Sequence, residues 1–151
     1  CTLAMTLSLL GGIRPLLGYV EYRGAIDQLG AFAARFPDDS VLLFANSEAG
    51  RRYTAPLQFL DGRTSFVIHN DPATNAAAAA AARTWIAQGR PVFWIAAEGP
   101  DPFEDPSEIG MVGTPRGRLT ISLPEKLATT DRRPGEDGLF QQNLVIWELT
   151  P

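Results

Sequence analysis

Residues 64–97 read TSFVIHNDPATNAAAAAAARTWIAQGRPVFWIAA, and this stretch decides the fold. Two short apolar runs, 64–69 and 91–97, have the length and composition of strands. The alanine-rich segment between them is typical of a helix, because alanine has the highest helix propensity. Asp71 followed by Pro72 is an N-cap with proline at the first helical position, and Gly89 is a C-cap. The stretch therefore predicts strand, helix over 72–88 and strand, with a structural role for Asp71.

The same alternation of strands and helices extends toward the N-terminus. An amphipathic stripe predicts a helix over 19–36, and the apolar run 41–45 predicts a first inner strand. A short helix over 51–60, closed by Asp61-Gly62, leads into the strand at 64–69. Three strands joined by helices favour parallel pairing with right-handed crossovers, and Trp94 in the third strand should be buried.

The C-terminal third has a different pattern of polar and apolar residues. Residues 118–123 alternate polar and apolar side chains, and 143–149 are a last apolar strand, so we expect both to join the sheet antiparallel. The predicted fold class is α/β, with a three-layer-like parallel βαβαβ sheet, helices packed on it and two added strands. The predicted division is a separate N-terminal segment, 1–17, and a single α/β soluble domain, 18–151.

Composition excludes several classes of function. The 151 residues suit one domain, and a net charge of −4 with 13 scattered basic residues argues against a nucleic-acid partner. One cysteine and one histidine predict no disulfide, no metal centre and no Cys–His pair, and we expect no cofactor. Phosphate-cradling glycine motifs are also missing from the sequence. Cys1 leaves open the alternative of a lipid-modified N-terminus.

The N-terminal segment is apolar. Residues 1–13 carry no charge but would span only about 20 Å as a helix, which is too short to cross a bilayer alone. We interpret residues 1–17 as the end of a truncated membrane helix, from which Arg14 can extend to the interface. The alternative is an N-terminal helix packed on the domain.

Polar residues follow the predicted inner strands, where ligands gather in open parallel sheets. We predict no catalytic residue and no metal ligand, and the candidate ligand-binding residues are Asn46, Ser47, Arg51, His69 and Glu98. Arg51 with Arg52 could hold an anion beside Ser47, or could be a solvated helix face. The other candidates have ordinary alternatives as helix caps or loop residues.

Several phrases resemble a known family: EYRGAIDQLGAFAARFPDDSVLLFA, APLQFLDGRTSFVIHND, WIAQGRPVFWI and a final LVIWELTP. From about Leu16 to Pro151 the chain resembles the C-terminal soluble region of bacterial membrane glycosyltransferases of the protein-mannosyltransferase-like type. The resemblance implies an extracytoplasmic location and a lipid-linked sugar donor. The family's acidic catalytic residue and metal contacts lie in loops near N-terminal membrane helices, so none is transferred to this chain. Arg14 departs from the positive-inside tendency for such an exit.

Two functional hypotheses follow. The first is a non-catalytic extracytoplasmic accessory domain of a membrane glycosyltransferase-like protein, whose partners are its own membrane-spanning region and a lipid-linked sugar. The second is a free-standing soluble α/β domain that binds a small ligand, or acts as an enzyme, at the carboxyl ends of its strands. The sequence leaves the oligomeric state open.

Overall fold

The computed structural model describes residues 23–45, 47–98, 105–124 and 139–150. Within these residues, three α-helices and five strands have the following bounds: α1 Arg23–Ala33, β1 Val41–Ala45, α2 Glu48–Leu60, β2 Thr64–Ile68, α3 Pro72–Ala87, β3 Val92–Ala97, β4 Val112–Pro124 and β5 Leu139–Thr150. A 3₁₀ turn, Pro106–Ile109, precedes β4. The N-terminal segment 1–17, on which the membrane-helix interpretation depends, lies outside the described residues.

The five strands form one open sheet in the order β2-β1-β3-β5-β4. β1 pairs in parallel with β2 on one side and with β3 on the other. This confirms the prediction that the three apolar runs lie parallel in one sheet. The last two strands are antiparallel, as expected, because β5 pairs antiparallel with both β3 and β4.

The sheet as a whole corrects one expectation. The fold is mixed α/β, and it is not the predicted three-layer arrangement built on a parallel βαβαβ sheet. The reason lies in the two long C-terminal strands, which have 13 and 12 residues and pair with each other in antiparallel register. Antiparallel neighbours need no crossover helix, so the helix–strand repeat stops at β3.

The core consists of two clusters that lie on opposite faces of the sheet, because alternate residues of each strand point to opposite sides. One cluster joins α1 and α2 to Phe44 of β1 and Ile95 of β3. It is rich in aromatic rings, and Phe32 contacts Phe44 and Tyr53 at centroid distances of 6.0 and 5.3 Å.

The second cluster joins α3 to the other face. Its helix contributes only small side chains, Ala78, Ala79 and Ala82, which lie in the same cluster as Trp94 of β3. Trp94 is fully buried, as predicted. The alanine run thus has a packing role, because short side chains let the helix come close to the sheet.

Helix ends differ from prediction mainly by one turn. α2 begins at Glu48 rather than at residue 51, because Ser47 is its N-cap. The 3₁₀ turn was not predicted, since it lies in a proline-rich stretch that resembles a loop. Its Asp105 accepts a hydrogen bond from the Ser107 N–H, and Gly110 ends the turn at a φ of 68°, in the left-handed region that favours glycine.

The path of α1 fixes where the chain enters the domain. Arg63, just before β2, donates hydrogen bonds to the carbonyl of Ala33, the last residue of α1, and to that of Phe36, three residues beyond it. The end of α1 therefore lies at the amino end of the parallel strands. Earlier in α1, Gln28 accepts a hydrogen bond at 3.3 Å from the hydroxyl of Tyr53, which lies in the second turn of Glu48–Leu60, the helix that follows β1. α1 therefore begins toward the opposite end of the parallel strands, which we call the carboxyl end of the sheet.

Candidate functional site at the carboxyl end of the sheet

The first turn of α2 stands at the carboxyl end of β1. The Ser47 hydroxyl accepts a hydrogen bond from the Gly50 N–H at 3.1 Å, and the Ser47 carbonyl accepts one from the Arg51 N–H at 3.1 Å. The Gln142 side-chain oxygen of β5 accepts a hydrogen bond from the Ala49 N–H at 3.0 Å. The N–H groups of Ala49 and Gly50, which a bound phosphate would use here, already have protein partners.

Gly50 brings this turn against the sheet. A Cβ atom built at this position would lie 2.8 Å from the Phe44 Cβ and 3.2 Å from the Ala45 carbonyl oxygen. Only a residue without a side chain fits so close a contact between helix and strand. The glycine therefore fixes the position of the α2 N-terminus over β1.

The first turn of α3 is closed in a similar way. The Asp71 carboxylate accepts a hydrogen bond from the Thr74 N–H at 2.9 Å, which confirms the predicted N-cap. Hydrogen bonds from the Thr74 side chain and its backbone N–H hold the pKa of Asp71 below its ordinary value, with a smaller contribution from the nearby His69. The carboxylate thus occupies the positive end of the helix dipole.

A second set of polar residues lies beyond β3, where β4 and β5 continue past it. We call Glu98, Arg118, Thr120 and Asn143 the polar cluster. The Arg118 guanidinium lies 3.3 Å from the Glu98 carboxylate, and the Thr120 hydroxyl donates a hydrogen bond to the Asn143 side-chain oxygen at 2.8 Å. The Glu98 N–H bonds to the Asn143 carbonyl at 2.8 Å, which ties the end of β3 to β5.

Sheet geometry places the polar cluster on the face that carries α3. Leu119 and Ile121 of β4 pack into the core cluster under α1 and α2, so Arg118 and Thr120, which alternate with them, point to the opposite face. Arg118, Thr120 and Asn143 are exposed. The cluster therefore offers both donors and acceptors to solvent, in fixed register along two paired strands.

The structure places the predicted site residues apart. Ser47 caps α2, Arg51 is exposed on the same helix, and Glu98 belongs to the polar cluster. His69 is exposed at the end of β2, and the strand order puts β1 between it and Glu98, so the two do not form a pair. Asn46 lies outside the described residues.

Gln142, Arg118 and Asn143 were missed because they belong to strands outside the parallel unit. The polar run QQN at 141–143 leads into the predicted strand 143–149, and it is the sequence feature that could have indicated Gln142 and Asn143. It could not indicate the partner of Gln142, which lies 93 positions away in the chain.

The exposed groups at this end of the sheet are amides, hydroxyls and one ion pair. Within 23–45, 47–98, 105–124 and 139–150, no three His, Cys, Asp or Glu side chains come together as a metal site would require. The pair Glu98–Arg118 is partly exposed and holds its charges in mutual contact. Amide, hydroxyl and paired ionic groups of this kind suit the hydroxyls of a neutral ligand.

None of the helices that the structure describes has the length and apolar character of a membrane span. Comparison with known proteins gives no match to any family model, any curated protein or any solved structure.

Proposed function

We propose that this chain is a non-catalytic extracytoplasmic accessory domain of a membrane glycosyltransferase-like protein, and that its polar cluster contacts the sugar of a donor or acceptor. The supporting observation is the state of the carboxyl end of the sheet. Two helices begin there, and side chains of the protein cap the N-terminus of each. Ser47 and Gln142 bond to N–H groups of α2, and Asp71 bonds to an N–H group of α3. The remaining exposed polar groups suit hydroxyls better than phosphate.

The nature of the polar cluster supports a sugar ligand. Saccharide hydroxyls both donate and accept hydrogen bonds, and Asn143, Thr120 and Arg118 together supply donors and acceptors. For a lipid-linked sugar, the cluster would contact the saccharide, while the phosphate would stay with the membrane-spanning part of the parent protein.

The direction of α1 supports a membrane connection on the same side. α1 begins at the carboxyl end of the sheet, which is the end that bears the polar cluster. The uncharged run 1–13 stands at the start of that connection. A membrane-embedded segment there would bring the polar cluster toward the bilayer surface, where a lipid-linked sugar is found.

A free-standing ligand-binding domain is the second candidate, and the same polar cluster favours it, since the cluster needs no parent protein. The two candidates differ in the role of residues 1–17. A free-standing domain would use them as a core helix, whereas the accessory domain would leave its core complete without them.

Deleting residues 1–17 separates these candidates. For the accessory domain we expect a melting temperature close to that of the full chain, together with loss of partition into liposomes. Unfolding of the shortened chain would instead favour the free-standing domain.

The open reading frame upstream of Cys1 gives an independent test. The proposal requires that it encode several membrane-spanning helices. A gene whose product starts close to Cys1 would overturn it.

A further inference from the structure

We propose that the Gln58 side chain protects the free edge of the sheet at β2, by covering the Ser65 carbonyl with which another strand would otherwise pair. The inference is independent of the proposed function. It rests on the direction of the backbone groups of β2, on the contacts that α2 makes with them, and on the apolar residues around this edge.

The hydrogen bonds of β1 indicate which of its backbone groups face β2. The Val41 N–H donates to the Pro91 carbonyl, just before β3, at 2.8 Å. The backbone groups of Val41 therefore face β3. Because successive residues of a strand direct their N–H and carbonyl groups to opposite sides, those of Leu42 face β2.

The register between β1 and β2 then gives the direction of the groups in β2. Leu42 is the partner of Ser65. In a parallel pair, a residue that faces the neighbouring strand bonds to the residues on either side of its partner. The backbone groups of Ser65 itself therefore point away from β1, to the free edge, and so do those of Val67.

Three contacts close this free edge along its length. At the middle, the Gln58 side-chain nitrogen donates to the Ser65 carbonyl. At the two ends of the strand, the Arg63 N–H and the His69 carbonyl each bond at 2.9 Å to a backbone group of a neighbouring turn. Of these three contacts, the one that depends on a side chain is that of Gln58.

Burial shows how closely α2 covers the middle of the edge. Ser65 is 0% exposed, although it lies in an edge strand. Its hydroxyl donates to the Thr54 carbonyl of α2 at 2.9 Å, and the exposed Gln58, one turn later in the same helix, bonds to its carbonyl. The Gln58 side chain thus lies between the Ser65 carbonyl and solvent.

This cover shortens the part of β2 that another strand could use. With Gln58 in place, Val67 is the outward residue that remains partly exposed between the two covered positions, Ser65 and His69. Without Gln58, outward groups from Ser65 to Val67 become accessible. That length is enough for pairing, since strands in proteins begin at about three residues.

The other edge strand, β4, is protected by its own sequence. It carries Pro115, a register shift before Gly117, and two exposed arginines, Arg116 and Arg118, each paired with a glutamate. Prolines, bulges and charges hinder pairing at an edge. β2, with the sequence TSFVI, has no proline and no charge, and its register against β1 is unbroken. Gln58 supplies from α2 the protection that β2 lacks.

The residues around this edge make such protection necessary. Phe59 and Leu60, which follow Gln58 in α2, are 84% and 62% exposed, and Phe66 in β2 is 41% exposed. An uncharged strand of β-branched and aromatic residues, with apolar neighbours, associates readily with other chains once its edge is accessible. Loss of the Gln58 contact should therefore lead to association of the protein.

The test is Gln58→Met in the full chain, by sedimentation velocity in a nonionic detergent over a range of protein concentrations. Methionine removes the donor but keeps the length and the helix propensity of glutamine. We expect the sedimentation coefficient of Gln58→Met to rise with concentration, while that of the wild type stays constant.

Gln88→Met is the matched control, because it makes the same substitution at an exposed glutamine, at the end of α3. It should behave like the wild type. All three proteins carry residues 1–22, so a difference between them does not come from the N-terminal segment. If Gln58→Met fails to fold, Gln58→Ala, which also lacks the donor, replaces it.

Hydrogen exchange of the Val67 amide shows where the variant associates. In associated Gln58→Met this N–H should exchange more slowly than in the wild type, by about tenfold or more, because a paired amide must open before it exchanges. Association that follows local unfolding would instead speed its exchange.

Four results would overturn the proposal. They are a Gln58→Met protein that does not associate, equal association of Gln88→Met, association without slower exchange at Val67, and a wild type that associates as strongly as the variant. A lower urea midpoint of Gln58→Met without association would show that Gln58 only holds the end of α2 in place.

Discussion

The buried guanidinium of Arg63 donates a hydrogen bond at 3.1 Å to the carbonyl of Ala33, 30 positions earlier in the chain. It also bonds to the carbonyls of Phe36 and Pro37 and to the exposed carboxylate of Asp38. One side chain thus bonds the last carbonyl of α1 and two carbonyls of the turn after it, and ties that helix to the start of β2.

Replacing Arg63 with Leu should therefore lower the free energy of unfolding by about 3 kcal/mol, because several backbone acceptors lose their donor at once. Urea denaturation measures this change. Arg63→Lys should recover only part of the loss, since an ammonium group cannot reach the acceptors with a planar fork.

The control for Arg63 is its ionic partner. Asp38 is fully exposed, so its ion pair is screened by solvent and Asp38→Asn should leave the urea midpoint close to that of the wild type. An equal loss in Asp38→Asn and Arg63→Leu would show that the ion pair, and not the carbonyl contacts, is responsible for the stability.

A second prediction compares two helical glycines. Gly50→Ala should destabilise the protein by about 2 kcal/mol, because its Cβ would lie 2.8 Å from the Phe44 Cβ. Gly30→Ala meets no atom within 4 Å and should stabilise α1 by up to about 1 kcal/mol through helix propensity. Thermal denaturation of both variants checks the opposite signs, and a stable Gly50→Ala protein would contradict the tight contact between α2 and β1.

Asp71 gives a prediction with a pH dependence. Its hydrogen bonds from Thr74 lower its pKa in the folded protein, so its stabilising effect is present above the ordinary carboxyl pKa of about 3.9 and is lost as the pH falls through the lowered value. Asp71→Ala should melt at a lower temperature at neutral pH and lose less stability on acidification than the wild type. Asp71→Asn, which still caps the helix, should recover most of the melting temperature.

The same Asp71 variant also tests whether the polar cluster, and not Asp71, binds sugar. Asp71→Asn should leave ligand affinity unchanged, whereas Asn143→Ala should weaken it about tenfold, by removal of a hydrogen-bonding side chain. Saturation-transfer NMR with simple monosaccharides measures this. Loss of binding in Asp71→Asn at unchanged stability would show that its charge is used, and would place the ligand at the α3 N-terminus.

Tyr53 predicts a loss of stability in alkali. Burial raises the pKa of Tyr53 to about 12, while the unfolded chain ionises near the ordinary value of about 10. The stabilising effect is therefore complete below pH 10 and is lost as the pH rises toward 12, because the unfolded state releases a proton that the folded state keeps. Tyr53→Phe should flatten this part of the stability curve. An unchanged alkaline slope in that variant would assign the loss to other groups.

The parallel half of the fold could be predicted because its information is local. Each inner strand is a short apolar run, and Asp71 stands three residues before the N–H group that it caps. The position of β5 could not be predicted in the same way. The apolar run 143–149 predicts a strand, yet it does not indicate which strands pair with it, and β5 lies between β3 and β4.

The candidate site was predicted only in part for the same reason. Ser47 and Glu98 could be predicted because they follow inner strands. The residues that contact this region come from the C-terminal strands: Arg118 pairs with Glu98, and Gln142 bonds to the first turn of α2. The structural role of Arg63 could not be predicted, because an arginine before an edge strand resembles a solvated charge in the sequence. Its burial depends on the carbonyls of α1, which only the folded chain brings to it.

The place of β5 also governs the order in which the domain can assemble. One side of β3 has no partner strand until β5 pairs with it. The paired residues, such as Phe93 and Glu148, are far apart in the chain. During synthesis, β1, β2 and β3 leave the ribosome long before that neighbour exists. Closing so long a loop is slow because its entropy is lost before the contacts form. We therefore expect the docking of the β4–β5 hairpin to limit the folding rate, with the β2-β1-β3 unit formed first and its β3 side exposed to chaperones until then.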